Sequence, residues 1–477
     1  MKEAQFFSAL SRADCERIHG AALRLLERVG VSVADREAAK ILKSAGARVD
    51  TDGTVYLSSE MIRDYLRLVP RVVEIAGSDG NRIRLPSGSP HYVSRVKYPR
   101  QQGYPPAATH VPSRQDIVDN CRLANALSSV EAVFVLDGPT ADFADEENWL
   151  LTPATVMSTT PKHIISPSIH LQSARYWAEM AEAASAAGDL TLEPLLTIEV
   201  SPHGPLKLDA DTAQVELFAV RKSIPLLVLP IPMAGVTSPI TLAGTVAVGV
   251  AESLFMIVLA QAVRPGAPVL YGGNALTFSM RAGAVSLGDP EAALLGSAEL
   301  AMSHFYGLPN YRVTGFTDSF FPDFQAGVEK TASALTSLLG GADLVTLGGA
   351  LGTSTVISAE QIVLDHDVFE VAKRISQRIA VTDETLALDV IEAIGHRGGE
   401  YLSHPHTIGW LRSAERYFGG LFNRRPELDE GETMLAQAHR FVQEVLARRD
   451  DTAVATAVVE RIRRYVHDQK SVLPAWL

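Results

Sequence analysis

Cysteine is scarce in this chain: two in 477 residues, Cys15 and Cys121, far apart and in no Cys-x-x-Cys spacing. A disulfide framework and a cysteine zinc site are therefore both excluded. Positive charge is also short. Against 55 Asp and Glu stand 43 Lys and Arg, a formal net charge of −12 at pH 7, which argues against nucleic acid as the main partner because phosphate binding wants a basic surface. No basic segment followed by an apolar run opens the chain, so a signal peptide is not expected and a cytoplasmic location is. Only one stretch, Ile240–Val263, is long and apolar enough to span a bilayer. Glu252 sits in its middle, where a carboxylate costs about 2.5–3.5 kcal/mol on insertion scales. The run is expected to be a helix buried in a soluble core, with no membrane partner. What is present fits that expectation: 47% hydrophobic and 21% charged residues, the composition of a well-cored globular protein.

The first hundred residues read as a separate module, with helices over Arg17–Val29, Glu37–Ser44 and near Ser59–Val69, and short strands at Val55–Leu57 and Val72–Ile75. Pro- and Gly-rich sequence follows from Ser78 to Ala107. The pattern then changes to apolar, β-branched runs alternating with amphipathic helices: Val130–Leu136, His163–Ser168, Pro194–Val200, Pro225–Ile231, Pro268–Gly272, Tyr311–Gly315 and Asp343–Leu347. Their starts lie about 31 to 43 residues apart, enough for one βα unit each. Consecutive apolar strands with helices between them imply a parallel sheet covered on both faces. No Gly-x-Gly-x-x-Gly follows the first strand, so a dinucleotide fold lacks support. With an eighth strand near His91–Val93, the pattern predicts an α/β fold, a (β/α)8 TIM barrel. The N-terminal α+β extension occupies 1–107, the barrel 108–357, and a helical C-terminal region 358–477. Helices in the last region are expected over Ala359–Arg378, Glu384–Ile394, Leu428–Arg448 and Ala453–Val466.

In such a barrel the chemistry sits just after the C-terminal ends of the strands. After the fifth apolar run come Gly272-Gly273-Asn274 with Phe278, Met280 and Arg281 beyond. After the sixth come Phe316, Thr317, Asp318, Ser319, Phe320 and Phe321, then Asp323, Phe324, Gln325 and Glu329. An aromatic cluster at a barrel mouth suits an apolar or cationic ligand, because ring faces attract quaternary ammonium groups. Asp318, Asp323 and Glu329 form an acidic group able to orient a cation or relay a proton. The same residues also suit loop packing and helix N-terminal charge. His404-Pro405-His406 lacks a third ligand, so no metal site is expected there. A Ser nucleophile elbow, a phosphate loop and a His-Glu-x-x-His are all missing. These residues indicate a barrel enzyme with a partly aromatic site and name no reaction.

Longer motifs do. PLLVLPIPMAGVTSPITLAG (Pro225–Gly244), RPGAPVLYGG (Arg264–Gly273), GDPEAALLGSAELAMSHFYGLPN (Gly288–Asn310), DFQAGVEK (Asp323–Lys330), SAEQIVLDHDVF (Ser358–Phe369), DETLALDVI (Asp383–Ile391) and LSHPHT (Leu402–Thr407) resemble the trimethylamine methyltransferase superfamily. So does IHGAALRLLERVGVSV (Ile18–Val33). The chain contains only standard residues and is similar to the branch without pyrrolysine, whose characterised members demethylate quaternary amines such as glycine betaine. Gly315–Asp318 is the expected counterpart of the pyrrolysine segment, which puts Phe316 or a neighbour there. His91–Arg100 (HYVSRVKYPR) departs from the Gly-rich sequence expected at that point.

The resemblance implies a methyltransferase that moves a methyl group from a quaternary amine, glycine betaine or a related betaine, to Co(I) of a corrinoid protein. Asp318 and Glu329 are then the catalytic candidates. Phe278, Arg281, Arg312, Phe316, Phe320 and Gln325 are the substrate-binding candidates, either arginine pairing with a substrate carboxylate. The chain lacks a cobalamin-binding Asp-x-His-x-x-Gly; the nearest match, His404–Gly409, has His where Asp is needed. It is expected to bind no cofactor itself, with the corrinoid (cobalamin) arriving on a cognate partner protein, and to form a homo-oligomer. A betaine-binding barrel without catalysis, or a methyltransferase using a folate or other acceptor, are the alternatives.

Overall fold

The computed structural model describes residues 7–106, 108–185, 194–396, 398–411, 413, 417, 420–422, 432–448, 453–470, 474 and 476. Eight parallel strands make the central sheet: β1 (His91–Lys97), β2 (Val130–Val135), β3 (His163–Pro167), β4 (Leu196–Val200), β5 (Leu226–Val228), β6 (Val269–Tyr271), β7 (Tyr311–Val313) and β8 (Leu344–Leu347). Neighbours follow chain order from β1 to β6, and β7 pairs with β8, which returns to β1. Tyr271 at the end of β6 bridges in parallel to Asn310, just ahead of β7, and its amide donates to the Pro309 carbonyl at 2.9 Å. The circle is thereby closed, and the fold is the (β/α)8 barrel that the spacing of the apolar runs predicts. All seven of those runs, and the stretch near His91, are barrel strands.

Eight helices wrap the sheet: α1 (Arg114–Ala126), α2 (Asp145–Thr159), α3 (Leu171–Ser185), α4 (Ala210–Arg221), α5 (Leu242–Val263), α6 (Pro290–Tyr306), α7 (Phe324–Leu339) and α8 (Ala359–Ser376). Their starts are written locally. Ser113 and Asp116 form a capping box on α1, and Asp209, Asp289, Asp323 and Ser358 cap α4, α6, α7 and α8 by accepting from free backbone amides of the first turn, each cap worth about 1 kcal/mol. Helix α5 is the long apolar run. Every residue from Thr245 to Gln261 is buried, because the N-terminal helices Arg12–Arg28 and Ser59–Leu66 cover the side that a barrel helix would otherwise turn to water. A helix buried all round needs no polar face, which explains its lack of amphipathic period.

The N-terminal extension thus shares the barrel's core rather than standing apart. Its hairpin, Val73–Ala76 with Arg82–Leu85, lies across the N-terminal end of the barrel. There the Ala76 amide donates to Pro194 O at 3.0 Å and the Ser78 amide to Pro161 O at 2.7 Å. The barrel sheet begins at His91, upstream of the boundary at 108, because the Pro- and Gly-rich stretch hides an apolar strand that reaches Lys97. The expected helix Glu384–Ile394 is two short ones, Asp383–Leu386 and Leu388–Ile394, broken at Ala387 with φ 49°. This segment packs only its own small cluster of Ala387, Val390 and Ile394, so no core contact enforces a continuous helix. Beyond it, helices Met434–Ala447 and Thr456–Gln469 pack against the barrel helices; the start of the expected Leu428–Arg448 helix lies outside the described residues.

Beneath the barrel mouth lies a fully buried ion pair, Lys330 of α7 with Asp365 of α8, at 2.9 Å. Lys330 Nζ also donates to Gly315 O at 2.6 Å. Asp365 accepts from the Gly349 amide and from Gln361 Nε2, both at 2.8 Å. One pair therefore joins the loops after β7 and β8 to the helices that follow them. Replacing Lys330 by Met should leave Asp365 buried and uncompensated, lowering the unfolding free energy by about 3–5 kcal/mol. Urea denaturation is the measurement, and adding Asp365→Asn should restore part of the loss.

Candidate active site

Strands β1, β4 and β7 are not neighbours in the sheet, so side chains from the three meet only across the barrel interior. Arg95 and Glu199, in the C-terminal halves of β1 and β4, and Tyr311, which opens β7, do so. Arg95 is completely buried. Its Nε donates to Tyr98 Oη at 2.8 Å and its Nη2 to Thr314 O at 2.9 Å. The guanidinium lies over the Phe316 ring, 4.4 Å from the centroid. Nη1 has no protein partner, and neither has Oε2 of the buried Glu199. Burial pushes the Glu199 carboxyl up to about 8, with Arg95 pulling the opposite way. Tyr311, raised by its own burial, faces Glu199, Arg95 and Tyr98 and accepts a hydrogen bond from Thr346 Oγ1. Buried polar atoms are nearly always satisfied, so a guanidinium nitrogen and a carboxyl oxygen left without partners in the barrel interior mark this cluster as the candidate ligand site.

The mouth above this cluster is built by loops. Gly315 (φ 67°) and Gly349 (φ 79°) end β7 and β8 in the left-handed region, where a side chain is strained. A Cβ at Gly349 would also lie 2.6 Å from Ile357. Arg100–Gln102 and Val356–Ser358 pair across the mouth, and Gln102 Nε2 holds Phe320 O at 2.9 Å.

The residues that the sequence nominates are distributed over this frame. Phe316 is buried and faces Arg95, which occupies the ring face that a cation cage would offer. Phe320 is 53% exposed on the rim, with Phe321 and the 86% exposed Phe324 beside it. Phe278 is half-buried and Arg281 exposed on a hairpin after β6, Thr277–Ser279 with Ala284–Ser286. Gln325 is exposed and donates to Glu329 at 2.9 Å. Asp318 and Glu329 do come together, as pins of the loop after β7. Asp318 accepts from Ser286 Oγ, the Leu287 amide and Thr353 Oγ1 at 2.5, 3.0 and 3.1 Å. Glu329 accepts from Thr317 Oγ1 and the Asp318 amide at 2.5 and 3.0 Å. Their oxygens are engaged in loop structure. Arg312 needs a correction. It points away from the barrel interior into the sheet–helix layer, where Nη1 pairs with Glu299 of α6 at 3.0 Å and with Gly273 O at 2.8 Å and Nε has no partner, so it faces the helices rather than a ligand in the barrel interior.

Arg95, Tyr98, Glu199 and Tyr311 are the residues that sequence reasoning misses. A signal for two of them exists: Arg95 lies in the atypical His91–Arg100 stretch, and Glu199 is the one charge in an apolar run. The same signal marks Arg312, yet alternation along β7 sends Tyr311 inward and Arg312 outward, and parity is set by the barrel.

The sequence is similar to known proteins. The family described as trimethylamine methyltransferase (MTTB) matches residues 1–474. The trimethylamine methyltransferase MttB of Methanosarcina barkeri is 32% identical over 409 residues, covering 83% of this chain and 81% of that protein. A proline betaine:corrinoid methyltransferase from Eubacterium limosum is 29% identical over 454 residues, covering 92% and 93% respectively. Among solved structures, the hydroxylamine complex of MtmB superposes with a TM-score of 0.49 at 16% identity, covering 98% of this chain and 97% of that one.

The role of Asp318 as a pin is testable. Asp318→Ala should speed hydrogen exchange of the Leu287 amide by about tenfold or more, the worth of a hydrogen bond to a charged acceptor. Global stability should fall much less than in the Lys330 variant. Unchanged exchange at Leu287 would return Asp318 to the list of groups free to act on a ligand.

Proposed function

Because the chain belongs to the trimethylamine methyltransferase (MTTB) family, we propose that it transfers a methyl group from a carboxylated quaternary amine, glycine betaine or a related betaine, to the Co(I) corrinoid of a partner protein. The observation that carries this reading is Arg95: a guanidinium sealed inside the barrel, with one nitrogen unpaired and held in a fixed orientation by Tyr98, Thr314 and Phe316. A substrate carboxylate would satisfy that donor in a charge-assisted hydrogen bond. A substrate lacking a carboxylate, such as trimethylamine, would leave it unpaired.

The chemistry asks little of the protein by way of proton transfer. The C–N bond breaks with its electron pair remaining on nitrogen, the methyl carbon passes to cobalt, whose electron pair forms the new bond, and the leaving group is a neutral tertiary amine. This chain's part is to hold the cation end toward the mouth while its carboxylate is anchored at Arg95, and to exclude water from the line of transfer. The corrinoid supplies the nucleophile, brought by its own carrier. No group of three or more His, Cys, Asp or Glu side chains able to hold a metal ion occurs among the described residues. The exposed apolar side chains Val236, Met280, Phe320 and Phe321 of the loops after β5, β6 and β7, with Phe324 at the start of α7, offer the mouth a surface on which a carrier can seat.

Purified protein should demethylate glycine betaine or proline betaine only when Co(I) cobalamin or a reduced corrinoid protein is supplied, followed by the absorbance of methyl-Co(III). Trimethylamine should not react. Betaine binding without turnover under those conditions would indicate the non-catalytic barrel, and demethylation with a folate alone would indicate a different acceptor. Arg95→Leu should raise KM for the betaine by about 10- to 100-fold, the equivalent of one hydrogen bond between charged groups. An unchanged KM would remove Arg95 as the carboxylate anchor.

A further inference from the structure

The carboxylate anchor leaves the opposite charge in the barrel without a role. Glu199, one residue before the end of its strand, is buried, with Oε2 unpaired. Flanking strands present no charge to it: its register partners are Pro167 on β3 and Leu227 on β5. Across the interior its charge is coupled to Arg95 from β1 and to Tyr311 from β7, and Arg95 in turn is bonded to Tyr98. Arg95 is already bonded to Tyr98 and Thr314 rather than to Glu199. A zwitterion anchored on Arg95 would therefore place its ammonium near Glu199, the one carboxyl of this cluster.

Resting on the methyl-transfer reading, we propose that Glu199 is the specificity residue for the substrate's cationic end, and that its proton divides substrate binding from methyl transfer. The physical reason is the fate of the charge. The nitrogen is fully positive in the substrate and neutral in the departing amine, so its charge fades in the transition state. An ionised carboxylate beside it stabilises the bound substrate more than the transition state, tightening binding while slowing transfer. The protonated acid stabilises the cation less and leaves the barrier lower. Burial holds the Glu199 proton up to about 8, which keeps the faster, looser-binding form at neutral pH; Tyr311 is raised by its own burial.

The sign follows. As pH rises through about 8, Glu199 ionises, so Kd and KM for a betaine should fall and kcat should fall with them, each by about threefold or more. Glycine betaine binding by calorimetry and single-turnover methylation of free Co(I) cobalamin, both at pH 7 and pH 9, read the two quantities independently. In Glu199→Gln, which cannot ionise, both slopes should flatten; in Glu199→Asp, which can, both should persist. Circular dichroism checks that each variant is folded. Wild-type slopes retained in a folded Glu199→Gln, or a wild-type Kd that does not change with pH, would overturn the proposal. Failure of the underlying function has a different signature: wild-type protein that neither binds nor demethylates any betaine at either pH.

Discussion

The Lys330–Asp365 ion pair is the constraint on which the mouth of this barrel depends. Removing two charges from water is costly, and their mutual attraction offsets it only when the remaining donors and acceptors are also satisfied. Here they are: Gly315 O and the Gly349 amide complete the pair, and both come from glycines with positive φ at the ends of β7 and β8. The charge pair and the two backbone reversals are thus a single arrangement. It sets where Phe316 lies, and Phe316 in turn supports the Arg95 guanidinium.

Buried charges elsewhere in the barrel are only partly satisfied, on both sides of the sheet: Arg312 Nε and both Glu216 oxygens lack partners. Between sheet and helices, Arg312 and Glu299 neutralise each other and tie α6 to β7. Inside, Arg95 and Glu199 each keep an unpaired atom. A fold tolerates such atoms only where something outside the chain completes them or where other interactions compensate. The acidic residues at the mouth belong to the satisfied kind. Asp318 and Glu329 hold the loop after β7 against the hairpin after β6 and the loop after β8. The aromatic rim has a different character again: Phe320, Phe321 and Phe324 are exposed rather than gathered into a cage.

The N-terminal extension gives the barrel what its own helices lack. Helix α5 has no polar face, and without helices Arg12–Arg28 and Ser59–Leu66 it would present a broad apolar surface to water. The hairpin over the N-terminal end of the barrel, bonded to residues just ahead of β3 and β4, closes the side opposite the mouth. Extension and barrel are one core, and the boundary between them falls in sequence, not in packing.

The pattern of apolar runs was enough to count the strands, order them and predict closure, because parallel strands buried on both faces must be apolar throughout and a βα unit has a minimum length. Helix starts were equally legible, since a cap is a local hydrogen bond between residues three apart. Long motifs also carried the family, for they span most of the chain. The site was legible only as a region. Phe316, Asp318 and Glu329 were found because they follow a strand, but what they touch could not be read from their spacing. Arg95, Glu199 and Tyr311 are separated by about a hundred residues from one another and are brought together by barrel closure alone. Arg312 and Tyr311 are adjacent in sequence and face opposite sides of the sheet. Which of two neighbouring residues looks into a barrel is decided by strand register, and register is a property of the closed sheet rather than of any one strand.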